Sequence, residues 1–178
     1  YYDIPEYRGF WGQVSKLDVP FYLHPRSQIK SRAVEYDGHP WLMSSPWGFA
    51  ADTSVHALRL CGSGLFDQYP KLKILLGHLG EGIPFLMARM DEALSRGSKV
   101  RFRETFSSHF SVTTSGFFSN PALLCTMQEL GIDRVLFSID WPFVKNTTGT
   151  DWLKTVPLCE EDKIKLMSGN AKRLLNLK

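Results

Sequence analysis

Three residues at the ends of apolar runs carry groups able to bind a metal or move a proton: His24, His78 and Asp140. His78 follows Leu72-Lys73-Ile74-Leu75-Leu76-Gly77 and precedes Leu79-Gly80-Glu81-Gly82-Ile83-Pro84. A short apolar run between breakers predicts a buried parallel strand. The C-terminal ends of such strands open into the crevice where α/β folds keep their chemistry. Glu81 stands three residues beyond His78. In a tight turn that is near enough to hydrogen-bond the imidazole, fix its tautomer and raise its basicity. His24 and Asp140 end two further runs, in Phe21-Tyr22-Leu23-His24-Pro25-Arg26 and Phe137-Ser138-Ile139-Asp140-Trp141-Pro142-Phe143. Imidazole with carboxylate suits one divalent cation, Zn²⁺ first, with Mn²⁺ or Mg²⁺ as harder alternatives. Each residue also has a plainer reading. His78 and Glu81 could be an ordinary loop pair, His24 a strand cap before a proline, and Asp140 a helix N-cap.

Four strands are expected to position these groups, over residues 18–23, 72–76, 110–115 and 133–139. Helical spacing of apolar residues predicts helices over 6–17, 50–66, 84–96 and 120–130. In the second of these Val55, Leu58, Leu65 and Phe66 form the apolar side; in the third, Phe85, Leu86, Met90 and Leu94. Asn120 is the expected N-cap of the fourth, with Pro121 in its first helical position. A short helix or turn over 151–156 and a final helix over 157–177, bent near Gly169, complete the chain. Residues 97–108 are charged and read as surface. Residues 27–40 are polar and irregular, and such long connections at strand ends are often functional. Strands alternating with helices give βα units, and right-handed crossovers make their sheet parallel. The fold class is therefore α/β. Four units are half of a (β/α)₈ barrel of the TIM type. A half barrel leaves two strand edges unpaired, so a preceding segment or another chain is expected to supply the rest. Tyr1 is not an initiating Met, which points the same way.

The chain has 178 residues, 43% hydrophobic and 22% charged, enough for one domain over residues 1–178 with a sizeable core. Its net charge of +3, from 21 Lys and Arg against 18 Asp and Glu, is too mild to argue for nucleic acid. No apolar run reaches the roughly 18 residues of a membrane span, and the first residues lack a signal-peptide pattern. Cys61, Cys125 and Cys159 are odd in number and widely spaced, which fits buried thiols in a reducing, cytoplasmic setting. Trp47 and Phe49 lie in an aromatic loop and either line an apolar pocket or pack in the core. Trp11, Trp141 and Trp152 read as packing, and His39, His56 and His109 as structural or surface residues.

The motifs at 21–26, 75–81 and 137–143 resemble three signatures of the amidohydrolase superfamily. They are joined by Ser-Pro-Trp-Gly-Phe-Ala (45–50), Phe-Asp-Gln-Tyr-Pro-Lys-Leu-Lys (66–73), Val-Thr-Thr-Ser-Gly (112–116) and Asn-Ala-Lys-Arg-Leu-Leu (170–175). In this order they are similar to the branch of metal-dependent, non-oxidative decarboxylases that act on 2,3-dihydroxybenzoate, salicylate and γ-resorcylate. The resemblance implies a (β/α)₈ barrel with a single divalent metal and a small aromatic carboxylic acid as substrate, such as 2,3-dihydroxybenzoate. It also implies a homo-oligomer, a dimer or tetramer. Carried over by position, His24 and Asp140 would be metal ligands, with Asp140 also the acid that protonates the ring. His78 and Glu81 would be the acid/base and orienting pair. Phe49, Trp47 and Phe143 would wall the substrate ring, and Arg89 would serve oligomer contacts or substrate positioning. The resemblance also implies further metal ligands, of a Glu-x-His or His-x-His type, on a first strand that this sequence does not contain, and Gly82 stands where relatives usually carry His. Hydrolysis of a lactone or amide on the same scaffold, and a truncated non-catalytic fragment, remain the alternatives.

Overall fold

The computed structural model describes residues 1–97 and 101–177. Strands β1 (Phe21–Leu23), β2 (Ile74–Leu76), β3 (Phe110–Thr113) and β4 (Val135–Leu136) form one parallel sheet in chain order. The register sets Leu23 beside Leu76, Leu76 beside Val112 and Val112 beside Val135. Successive side chains of a strand face opposite sides of a sheet, and here the two sides differ in chemistry. Leu23, Ile74, Leu76, Phe110, Val112 and Val135 face the helices and are all buried in the main hydrophobic core. Tyr22, Leu75, Ser111, Thr113 and Leu136 face the other way. One side is a core and the other a hydroxyl-rich lining, which is how half of a barrel wall presents its outside and its lumen.

Around the outer side lie α1 (Arg8–Leu17), α2 (Gly48–Gly62), α3 (Leu65–Gln68), α4 (Ile83–Gly97), α5 (Phe102–His109), α6 (Asn120–Leu130) and α7 (Asn146–Thr155). The last helical stretch is α8 (Glu160–Ile164), a π turn (Lys165–Gly169) and α9 (Asn170–Leu174). That π turn is the bend expected near Gly169. It leaves the Leu166 carbonyl free to accept from Phe137 N–H at 2.9 Å. Asn170, buried, donates to the carbonyls of Ile132 and Val135, both at 2.7 Å. The final helix is thereby tied to β4. The same contacts explain why β4 is shorter than expected. Ile132–Arg134 close a 3-10 turn before it, Phe137 N–H goes to Leu166, and Ser138 N–H goes to Thr114 Oγ1 at 2.9 Å.

Several sequence expectations are corrected. The helix over 50–66 breaks at Gly64, whose φ is +72°, into α2 and α3. The buried side of α2 is Thr53, His56, Ala57, Leu60 and Cys61, while Val55 is exposed. On α4 the buried residues are Ile83, Pro84 and Met87; Phe85 is 82% exposed and Leu86 and Leu94 are also exposed. The expected charged surface at 97–108 holds α5, with Phe102 and Phe106 fully buried and Phe106 stacked on Phe110 at 4.4 Å; residues 98–100 of that stretch lie outside the described ones. The N-cap of α6 is Ser119, whose side chain accepts from Ala122 N–H, not Asn120. Asn120 instead accepts from Trp152 Nε1 at 2.8 Å. Trp11 is fully buried, whereas Trp141 is exposed. Cys61 is buried, but Cys159 is exposed.

Candidate active site at the strand ends

β2 ends in an unusual backbone. His78, Leu79, Gly80, Glu81 and Gly82 all have positive φ, at 48°, 54°, 84°, 57° and 84°. Two hydrogen bonds close this left-handed turn, Gly80 N–H to Gly77 O at 2.8 Å and Glu81 N–H to His78 O at 3.2 Å. Left-handed backbone costs a residue with a Cβ about 1–2 kcal/mol, so His78, Leu79 and Glu81 together oppose the turn by roughly 3–6 kcal/mol. Burial of Leu79 in the core and the hydrogen bonds made by the turn offset that cost. The result is that His78 and Glu81 face one another. His78 Nδ1 donates to Glu81 Oε1 at 2.6 Å, with the carboxylate almost wholly buried and the imidazole partly open. Burial by itself lowers the pKa of His78, but the hydrogen bond to Glu81, the charge of Glu81 and the more distant charge of Asp140 together hold it above the ordinary histidine value. With Nδ1 committed, Nε2 is the nitrogen left for a ligand.

Asp140 leaves β4 through another left-handed residue, with φ 74°. It caps no helix. Its carbonyl accepts from Phe143 and Val144 N–H, and the next helix, α7, begins after Lys145. Gly116 lies against its side chain: a Cβ there would stand 3.3 Å from Asp140 Oδ2. His24 follows β1 and is exposed. Its Nδ1 is 2.8 Å from Pro25 O and donates to it, which leaves the Nε2 lone pair free, the orientation a metal-binding imidazole needs. Among the described residues no three His, Cys, Asp or Glu side chains gather into a cation site. His24 and Asp140 offer one imidazole and one carboxylate, donor types that suit a divalent cation but fall short of a full ligand set.

Between these strand ends lies a cluster that sequence reasoning missed. Tyr22 Oη is 2.9 Å from Thr113 Oγ1 and 3.0 Å from Ser115 Oγ. Thr113 and Ser115 are 2.7 Å apart, and Ser115 donates to Ser138 Oγ at 3.2 Å. Tyr22 stands two residues before His24 and Ser138 two before Asp140, so the hydroxyls tie together the strands that carry the candidate ligands. Gly77 completes the join. A Cβ there would lie 3.3 Å from Tyr22 Oη and 3.8 Å from Glu81 Oε1. The available signal was the hydroxyl run Thr113-Thr114-Ser115 at the end of the third strand, in which Thr113 and Ser115 share a face.

The remaining expected site residues lie further out. Phe143 is 81% exposed in the turn after Asp140. Phe49 is half-buried at the start of α2, and Trp47 precedes it, lining a groove with Tyr1, Tyr36 and Asp52. Arg89 is exposed on α4, beside an apolar groove formed with Leu58, Leu86, Met90 and Ala93. The structure thus brings His78 to Glu81 and links their turn to the strands of His24 and Asp140, while Arg89 stands on the outer helical layer.

The family model described as amidohydrolase matches residues 1–177. The chain belongs to the amidohydrolase family. Its sequence is 48% identical to a γ-resorcylate decarboxylase of a Rhizobium species, across 99% of this chain and 56% of that protein. A crystal structure of 2,6-dihydroxybenzoate decarboxylase complexed with 2,6-dihydroxybenzoate superposes with a TM-score of 0.95 at 48% identity, over 99% of this chain and 56% of that one. A dihydroxybenzoic acid decarboxylase of a Polaromonas species, solved with manganese and the inhibitor 2-nitroresorcinol, does so at TM-score 0.95 and 46% identity, over 99% and 55%. The amidohydrolase chain therefore spans about half the length of the relatives it matches, and its four-stranded sheet is the corresponding part of a TIM-type barrel.

Proposed function

We infer that the protein containing this chain is a divalent-metal-dependent, non-oxidative decarboxylase of ortho-hydroxybenzoates. The observation that carries the reading is the His78–Glu81 pair, held at 2.6 Å on a left-handed strand end within electrostatic reach of Asp140. The relatives' names add the substrate class, with 2,6-dihydroxybenzoate ahead of the 2,3-isomer expected from sequence. The manganese held by the Polaromonas enzyme favours that ion over Zn²⁺.

His24 and Asp140, with ligands from the rest of the barrel, would hold the cation. The chemistry that a bound divalent cation supplies is charge withdrawal from a carboxylate and its neighbouring hydroxyl. His78 Nε2 is free to hold the phenol oxygen, while Glu81 keeps the ring of His78 in one tautomer. Asp140 delivers a proton to the ring carbon that bears the carboxylate. The C–C bond to the carboxylate then breaks, CO₂ leaves, and its electron pair restores the aromatic ring. Holding the substrate in register with Asp140 and His78 lowers the barrier further.

The test is turnover by the full-length protein, loaded with Mn²⁺ or Zn²⁺ after dialysis against a chelator. Release of CO₂ and appearance of resorcinol from 2,6-dihydroxybenzoate, or catechol from 2,3-dihydroxybenzoate, is the expected result, lost without metal and restored by it. Hydrolysis of a lactone with no decarboxylation of either acid would overturn the reading.

A further inference from the structure

The left-handed turn at 78–82 has only two backbone hydrogen bonds of its own, yet it must keep three residues with side chains in a conformation they disfavour. Two side chains from different outer helices reach it. Ser54 Oγ, on α2, donates to Glu81 O at 2.8 Å. Thr126 Oγ1, on α6 and buried, donates to Leu79 O at 3.2 Å, sharing its hydrogen with Ala122 O in its own helix at 2.9 Å. Both acceptors are carbonyls of the disfavoured residues. Neither Ser nor Thr is a strong helix former, and alanine would favour each helix more.

We propose that Ser54 and Thr126 are positioning residues for the His78–Glu81 pair, clamping the left-handed turn from two sides. They touch neither the imidazole nor the carboxylate, and act through the backbone that carries both. Loss of a clamp lets the turn sample right-handed or extended backbone, in which His78 and Glu81 no longer face each other. The kinetic consequence rests on the decarboxylase reading; the clamp itself does not.

The experiment compares Ser54→Ala, Ser54→Thr and Thr126→Val with the wild-type, full-length, Mn²⁺-loaded protein. It reads amide hydrogen exchange over 79–82, thermal stability, and kcat and KM on 2,6-dihydroxybenzoate. Ser54→Ala is expected to speed exchange of the Gly80 and Glu81 amides and lower kcat, each about three- to tenfold, the range one lost hydrogen bond supports. KM should stay within about twofold, because the change acts on catalytic geometry rather than on uniform binding. The melting temperature should fall only slightly, since alanine's better helix propensity in α2 offsets part of the lost bond. Ser54→Thr, which keeps the hydroxyl, should restore both exchange and kcat. Thr126→Val should act in the same direction but less, because its bond is longer and shared. Unchanged exchange in Ser54→Ala overturns the clamp. Faster exchange with wild-type kcat overturns the positioning role. A wild-type protein that decarboxylates none of the acids counts against the functional reading, and the exchange comparison still decides the clamp.

Discussion

His78 and Glu81 are unequal partners: the imidazole is 28% exposed and the carboxylate 2%. Removing the imidazole strands a buried carboxylate, whereas Glu81→Gln keeps an acceptor for Nδ1–H and removes only charge. If the pair handles the phenol proton, His78→Asn should lower kcat by about 10²–10⁴-fold with little change in KM, since proton handling belongs to the transition state. Glu81→Gln should cost less, and the double variant less than the product of the two. Wild-type kcat in His78→Asn at unchanged metal content would make the pair structural. His56 offers a separate test. Burial above all pushes its pKa down to about 4. It therefore folds neutral, and between about pH 6.5 and 4 the unfolded chain binds the extra proton. That contribution is complete above the unfolded value and is lost as pH falls through the folded one, a change on the order of 3 kcal/mol. Denaturant midpoints of wild type should drop across that window and those of His56→Gln should drop less; parallel curves would refute the assignment.

The elements were legible to different degrees, for physical reasons. The start of α2 is set by a contact no pattern reveals. A Cβ at Gly48 would lie 2.3 Å from the carbonyl oxygen of Met43, so the aromatic loop folds directly onto the helix. Because the obstacle is backbone, it cannot rotate away. Gly48→Ala should destabilise the protein by about 1–3 kcal/mol, as overpacking does, despite alanine's better helix propensity. A urea midpoint equal to wild type would contradict this. The strand ends of His24, His78 and Asp140 were readable because apolar runs stop abruptly there. The hydroxyl cluster was not, because Thr113 and Ser115 sit in a run of small hydroxyl residues (Thr113-Thr114-Ser115) that reads as β-branched strand, and their partners Tyr22 and Ser138 come from β1 and from just beyond β4. The left-handed turn was hidden because three of its five residues are not glycine. On α2 and α4 apolar residues occupy more than one side, so periodicity alone placed Val55, Phe85 and Leu86 on the wrong one.

At the scale of the molecule, the sheet has an apolar outside covered by helices and a hydroxyl-rich lining in which Leu75, Ser111, Thr113 and Leu136 are buried. β1 and β4 are both edges. Open edges invite pairing with other chains. The 178-residue segment made alone should therefore associate or precipitate, and a monodisperse monomer with a sharp cooperative melt in size-exclusion and thermal scans would show that the edges are protected otherwise. The chain-order arrangement of the strands also has a consequence for how the molecule assembles in time. The crossovers shorten along the chain, from Leu23 to Ile74, then Leu76 to Phe110, then Thr113 to Val135. Closing a loop twice as long costs only about 0.6 kcal/mol more. That bias, though small, repeats in one direction, so folding should run backwards from β3 and β4, with β1 docking last. His24 would then reach its place after His78 and Asp140 have found theirs. Pulse-labelled hydrogen exchange during refolding of the full-length protein should protect Val112 and Val135 before Leu23; simultaneous protection would mean that the barrel closes in a single concerted step.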